Sequence, residues 1–143
     1  MEENSQSPEK IKIDFKESMY ATGRRKTSIA KIWLKKGTGK IFVNGKNFQD
    51  YFTSDTHKMQ ILRPFEIIDQ ATQYDVRCQV IGGGHTGQAG AMVHGISRAL
   101  VKFDENFKTT LRKEKLTTRD SRAVERKKPG RAKARKSYQF SKR

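Results

Sequence analysis

Two stretches of this sequence could do chemistry on a phosphate. Gly82-x-Gly84-x-x-Gly87 follows a strand-like run and precedes a helix-like one. In that context a glycine-rich turn and a helix N-terminus can hold a pyrophosphate. Gly23-Arg24-Arg25-Lys26-Thr27 sets three cations in a row ahead of an alternating segment. Three consecutive cations cannot all turn inward, so part of that run faces solvent.

The glycine loop is tested by what comes after it. A dinucleotide site needs a second parallel strand beyond the helix, ending in an acid that holds the ribose. Here the following segment, Lys102-Phe103-Asp104-Glu105-Asn106-Phe107-Lys108, reads helical. No Gly-Lys-Ser or Gly-Lys-Thr closes the loop either, so the Walker A form is excluded. Two readings stay open. The glycines allow a tight strand-to-helix turn with close packing, or the bare backbone at Gly83 and Gly84 lets a nucleic-acid phosphate approach the helix.

Other chemistry finds no footing. His57, His85 and His94 are scattered, with no His-Glu-x-x-His and no Cys-x-x-Cys. The single cysteine, Cys78, alternates with apolar residues on a strand-like run, which suits a small core residue better than a reactive thiolate. No pair of carboxylates stands at helical spacing beside a nucleophile. The expectation is a non-enzymatic chain with no cofactor, no metal and no small-molecule substrate.

The strongest signal is the C-terminal segment, residues 119–143. Arg119, Arg122, Arg126, Lys127, Lys128, Arg131, Lys133, Arg135, Lys136, Lys142 and Arg143 stand against two acids there. Fully extended, the segment reaches roughly 80 Å at about 3.3 Å per residue. Pro129-Gly130 interrupts any helix. Beyond Leu116 only Ala123, Val124, Ala132, Ala134, Tyr138 and Phe140 are apolar, too few to build a core. Such an arm repels itself until a polyanion neutralises it. Its arginines suit bidentate phosphate contacts. Tyr138 and Phe140 can stack on unpaired bases or pack on neighbouring protein.

The elements that must position these residues read as an α+β domain. Ser28 to Lys35 alternates, with Ala30, Ile32 and Leu34 on one face. Lys40 to Val43 is a second short strand between turns at Gly37-Thr38-Gly39 and Asn44-Gly45. Short helices are predicted at about 47–53 and 56–62, with Pro64 ending the second or starting a new segment. Tyr74 to Ile81 is a further strand, carrying Tyr74, Val76, Cys78 and Val80 on one face. Ala89, Met92, Val93, Ile96, Ala99, Leu100 and Phe103 mark one face of a helix. His94, Arg98 and Lys102 fall opposite, as an ordinary solvated face or a phosphate-contacting stripe. Asp104 is placed to cap a last helix. The whole is a small sheet with helices on one face and a basic arm.

Charge agrees with this layout. The 143 residues carry 31 Lys+Arg against 15 Asp+Glu, a formal net charge of +16. Residues 1–17 run the other way, with five acids against three lysines, and read as an acidic, mostly disordered lead. That lead lacks the apolar core of a secretory signal and is too acidic for an organellar presequence, so a cytoplasmic protein is expected. No apolar run approaches the roughly 18 residues of a membrane span. The predicted layout is a lead over 1–17, a globular domain over 18–118 and a tail over 119–143. Charge alone admits a free nucleic-acid chaperone or a DNA-compacting protein as well as an RNA-bound one.

Four stretches narrow the choice: Tyr20-Ala-Thr-Gly-Arg-Arg-Lys-Thr27; Gly82-Gly-Gly-His-Thr-Gly-Gln-Ala-Gly90 running on to His94-Gly-Ile-Ser-Arg-Ala-Leu100; Asp120-Ser-Arg-Ala-Val-Glu-Arg-Lys-Lys128; and Lys133-Ala-Arg-Lys136 with the ending Gln139-Phe-Ser-Lys-Arg143. Together they resemble the universal S-nine family of small-subunit ribosomal proteins, of the bacterial type. The resemblance implies an α+β fold like the second domain of ribosomal protein S-five. That fold has a small mixed sheet of about four strands, helices on one face, a left-handed βαβ crossover against the usual preference, and a long basic tail. It implies a structural constituent of the small subunit bound to the 3′ major domain of its rRNA, in the head, beside other head proteins. It further implies that the arm threads toward the P site. On this reading Arg24, Arg25, Lys26, Gly83, Gly84, Arg98 and the tail cations Arg119 to Lys136 contact rRNA. Lys142 and Arg143 contact the anticodon stem-loop of P-site tRNA. The acidic lead is longer than in many family members and receives no role.

Overall fold

The computed structural model describes residues 14–142. Its elements run β1 (Met19–Arg25), β2 (Ser28–Lys36), β3 (Ile41–Val43), β4 (Lys46–Asn47), α1 (Phe48–Tyr51), α2 (Asp55–Ile67), β5 (Tyr74–Ile81), α3 (His85–Phe103) and α4 (Phe107–Lys113). The strands form one mixed sheet of five, in the order β1-β2-β5-β3-β4. Only β3 and β5 run parallel, and α1 and α2 lie between them in the chain. The expected count of about four strands is thus corrected to five.

Two strands carry no clean alternation: β4, of two residues, and β1, which pairs antiparallel with β2 along its whole length. Strands β1 and β2 are joined by a two-residue turn, with Lys26 at a φ of 53°. The inward residues of β1 are Ala21 and Gly23, so its apolar signal is faint. Their small size serves a purpose. A Cβ on Gly23 would sit 1.9 Å from the Ala91 carbonyl oxygen and 2.3 Å from the Gly95 nitrogen. Strand β1 therefore lies directly on the backbone of α3, glycine against glycine.

The alternation expected in β2 and β5 appears as burial. Ala30, Ile32, Leu34, Tyr74, Val76, Cys78 and Val80 are all buried, facing α2 and α3. They join Ile61, Phe65, Met92, Ile96 and Leu100 in one core. Cys78 belongs to it, and burial pushes its thiol pKa well up. The residues between them on the strands, including Trp33, Arg77 and Phe42, are exposed or half-buried. Asp75 is the exception: its Oδ1 accepts the N–H groups of Thr38, Gly39 and Lys40 at 2.9–3.0 Å. A buried carboxylate is tolerable when so fully bonded, and this one fixes the turn from β2 into β3.

Two helix boundaries differ from expectation. Pro64 lies inside α2. It is buried beside Ile61 and Phe65, so packing carries the helix past the missing N–H. Helix α4 starts at Phe107 behind Asn106, not behind Asp104. Asp104 instead closes α3, its N–H bonded to the Leu100 carbonyl, while its Oδ1 accepts the Asn106 N–H at 3.0 Å. Residues 1–13 of the acidic lead lie outside the described residues. Asp14 to Ser18 make a turn held by Ser18 Oγ donating to the Phe15 carbonyl at 2.6 Å, and Lys35 donates to the Asp14 carbonyl at 2.8 Å.

Candidate nucleic-acid interface

The hairpin turn between β1 and β2 and the glycine loop before α3 come together at one end of the sheet. A Cβ on Gly82 would meet the Thr27 carbonyl at 2.7 Å, and one on Gly83 would meet Ser28 Oγ at 2.2 Å. Both glycines also have positive φ, 74° and 61°, where other residues are strained. Ser28 Oγ and Gln88 Nε2 both donate to the Gly82 carbonyl, at 3.0 and 3.1 Å. Close packing therefore accounts for Gly82 and Gly83. It does not account for Gly84, whose Cβ would meet nothing within 4 Å and whose φ of −102° suits any residue. The dinucleotide geometry is absent: α3 is followed by α4, and β5 has no parallel partner beyond that helix.

Arg24, Arg25 and Lys26 stand beside this loop. Arg24 and Lys26 are exposed, and Arg25 is half-buried against Gly90. Arg25 Nε lies 3.9 Å from Asp120 Oδ2, which ties the body to the start of the tail. A cavity of about 240 Å³ opens here, lined by Arg24, Arg25, Arg63, His94, Lys115 and Asp120 among others. Arg63 and Lys115 bring two further cations to it. They come from α2 and from the segment after α4, so no local run announces them. Arg63 bonds Glu114 at 2.9 Å.

The polar row of α3 is neither a bare solvated face nor a simple phosphate stripe. Arg98 Nη1 donates to the Thr22 carbonyl at 2.8 Å, and Lys102 Nζ donates to the Tyr20 carbonyl at 2.9 Å. His94 Nδ1 accepts the Arg24 N–H at 3.3 Å. Side chains four apart on the helix thus meet backbone groups two apart on the strand. Arg98 remains exposed beyond that bond. His57 and His85 both approach the Phe52 ring, with centroids 6.1 and 5.9 Å away. No group of three or more His, Cys, Asp or Glu able to hold a metal occurs among the described residues.

His94 yields a pH prediction. Burial lowers its pKa from 6.5, the Arg98 and Arg119 charges lower it further, and a backbone contact with Thr117 opposes them. The folded state therefore favours the neutral ring. Its contribution to stability is full above the ordinary histidine pKa and is lost as pH falls below it. Thermal melts of the native chain should drop by a few degrees more than those of His94→Gln between about pH 7.5 and pH 5. Parallel curves would remove His94 from the acid response.

The tail, residues 119–142, carries neither helix nor strand and buries none of its residues. Its two acids are occupied. Asp120 accepts Arg122 Nε and Nη2 at 2.7–3.1 Å, and that bonding holds its carboxyl well below the usual range. Glu125 pairs with Lys128 and, at 2.9 Å, with Arg135. Arg131 turns back onto the Arg135 carbonyl at 2.9 Å. Arg119, Arg126, Lys127, Lys133 and Lys136 form no ion pair among the described residues. Tyr138 and Phe140 are 65% and 87% exposed, so no packing among the described residues claims them. Lys142 is exposed; Arg143 lies outside the described residues. Among those residues no helix is long and apolar enough to cross a membrane.

Comparison with known proteins points the same way. The sequence profile of the family described as ribosomal protein S9/S16 matches residues 23–143. A Rickettsia canadensis protein called small ribosomal subunit protein uS9 is 56% identical over 132 residues, covering 92% of this chain and 82% of that protein. Its counterpart of the same name in Rickettsia felis is 56% identical over 134 residues, covering 94% and 83%. That of Rickettsia typhi gives the same identity and coverage.

Proposed function

The chain belongs to the ribosomal protein S9/S16 family, and from that premise we propose that it docks on rRNA in the head of the small subunit and extends its arm to P-site tRNA. The family is structural and not enzymatic. The chain accordingly works as a constituent of the small ribosomal subunit in the cytoplasm, among rRNA and neighbouring head proteins. The body over 18–118 is the platform, with a left-handed crossover between β3 and β5 as in the second domain of ribosomal protein S-five. Arg24, Arg25, Lys26 and Arg98 meet phosphates of the 3′ major domain. Gly84, with open space where a Cβ would stand, leaves room for one to approach the backbone, whereas Ser28 fills that side of Gly83. The arm over 119–143 lies among converging strands and offsets their mutual repulsion. Lys142 and Arg143 offer charge to the anticodon stem-loop.

The observation that carries this reading is the state of the arm. Its described residues, 119–142, are none of them buried, and its two carboxylates are already held by its own cations, so most of its charge awaits an outside partner. Phosphate contacts then position the protein, and RNA shape sets specificity more than base edges do.

The test is co-sedimentation. The chain should travel with the small subunit through a high-salt gradient. Its absence from the particle, with capture by bulk DNA at physiological salt, would overturn the reading. For the tip, deleting Ser141 to Arg143 should weaken P-site tRNA binding a few-fold and leave subunit assembly intact. The effect is modest because rRNA and mRNA also hold the tRNA. Unchanged tRNA affinity across a salt series would remove the tip from the mechanism.

A further inference from the structure

The sheet has a second face, and the helices do not cover it. Cross-strand pairing runs one row of side chains across that face: Tyr20 opposite Trp33, Trp33 opposite Arg77, Arg77 opposite Phe42. The row is organised. The Tyr20 and Trp33 rings stand 5.3 Å apart at centroid, and the Arg77 guanidinium lies over the Trp33 ring at 5.4 Å. Tyr20 is 42% exposed; Trp33 and Phe42 are half-buried and Arg77 is exposed. A soluble sheet face usually carries scattered polar side chains. This one carries three aromatic rings and a planar cation in line.

The charge of its strand residues is mainly positive. Lys31 precedes Trp33 by two residues on the same face and is exposed. Asp75 is the one acid in any of the five strands, and it is spent on three backbone N–H groups of the neighbouring turn. Among the strand residues no carboxylate is left free on the face; Asp14 and Glu17, outside the strands, stand with Lys35 and Lys36 at one end of it. Flat rings in a positive field suit a partner made of flat rings on an anionic chain, which describes unpaired nucleotides. An acidic protein surface would match the charge but has less use for a continuous stacking row. The platform is also stiff, because β2 and β5 are paired on both sides, so little ordering is required on binding.

We propose that the helix-free sheet face, along Tyr20, Trp33, Arg77 and Phe42, is a second RNA contact that stacks unpaired bases. This rests on the rRNA reading above and adds a surface to it, of a different kind from the tail. The tail takes phosphates of any strand, whereas this face takes bases, and only where they are unpaired.

Trp33 is the sole tryptophan, so its fluorescence reports on this face alone. Single-stranded oligouridine should quench it saturably in the full-length chain. Duplex RNA and inorganic polyphosphate, which engage the tail, should leave it nearly unchanged. Tyr20→Ala and, separately, Arg77→Lys should each weaken the quench-derived affinity about tenfold, while binding of polyphosphate stays the same. The lysine variant keeps the charge and loses the plane. Undisturbed emission at RNA concentrations where labelled RNA is seen to bind overturns the proposal and leaves the tail reading standing. Quenching by small-subunit proteins and not by RNA also overturns it, in favour of a protein contact. A chain that binds no RNA by either measure fails both readings.

Discussion

Removing residues 119–143 is expected to cut affinity for a small-subunit rRNA fragment by about a thousandfold or more at low salt, and to flatten its salt dependence. Each cation that neutralises a phosphate releases counterions and adds roughly 0.7 to 0.9 to the slope of log affinity against log salt. If about six tail cations engage, the slope should fall by roughly five on truncation. The body keeps Arg24, Arg25, Lys26 and its other cations, so weak binding persists. The fold should survive, because residues 119–142 bury no side chain. Melting temperatures of the full and shortened chains should agree within a few degrees. The measurement is binding across roughly 50 to 200 mM salt for both chains. Equal slopes would show that the tail contributes no phosphate contacts.

The second large effect is on stability. Gly23→Ala forces a methyl into backbone atoms, the Ala91 carbonyl oxygen and the Gly95 nitrogen, at 1.9 and 2.3 Å. Backbone cannot rotate aside as a side chain does, so β1 must separate from α3. Overpacking of this kind costs about 3 kcal/mol or more, which for a domain of this size lowers Tm by roughly 10 °C. Gly95→Ala should cost less. Its Cβ would meet Ile32 Cγ1 at 2.7 Å and the Gly23 nitrogen at 3.0 Å, both looser than the two nearest backbone contacts at Gly23. Gly84→Ala meets nothing within 4 Å and should leave Tm within about 2 °C. Thermal unfolding of the three variants gives the ranking directly. A Gly23→Ala protein as stable as the native chain would mean that β1 and α3 are not held in this contact.

The parts of the fold that were legible in the sequence are those with a clean period. The alternation in β2 and β5 and the apolar face of α3 each recur long enough to identify themselves. Strand β1 was hidden because its inward residues are Ala21 and Gly23, chosen for closeness and not for hydrophobicity. Strand β4 has two residues, too few for any period. Pro64 misled because local preference favours a break there, and the burial of Ile61, Pro64 and Phe65 outweighs it. The site divides the same way. Runs such as Arg24-Arg25-Lys26 and the tail speak for themselves. The bonds from His94, Arg98 and Lys102 to β1 join residues 70 to 82 positions apart. The row through Trp33 exists only once strand register is known.

The clasp of α3 on β1 matters before any ribosome is met. A newly made chain waits in the cytoplasm, and an uncovered sheet margin is a template on which another molecule can add a strand. Here the outward carbonyls of Tyr20 and Thr22 are taken by Lys102 and Arg98, and the Arg24 N–H by His94. The opposite margin, β4, offers two residues. Both rims are thereby made poorer templates for strand addition, which adds to the effect of the net charge in disfavouring self-association of the unassembled protein.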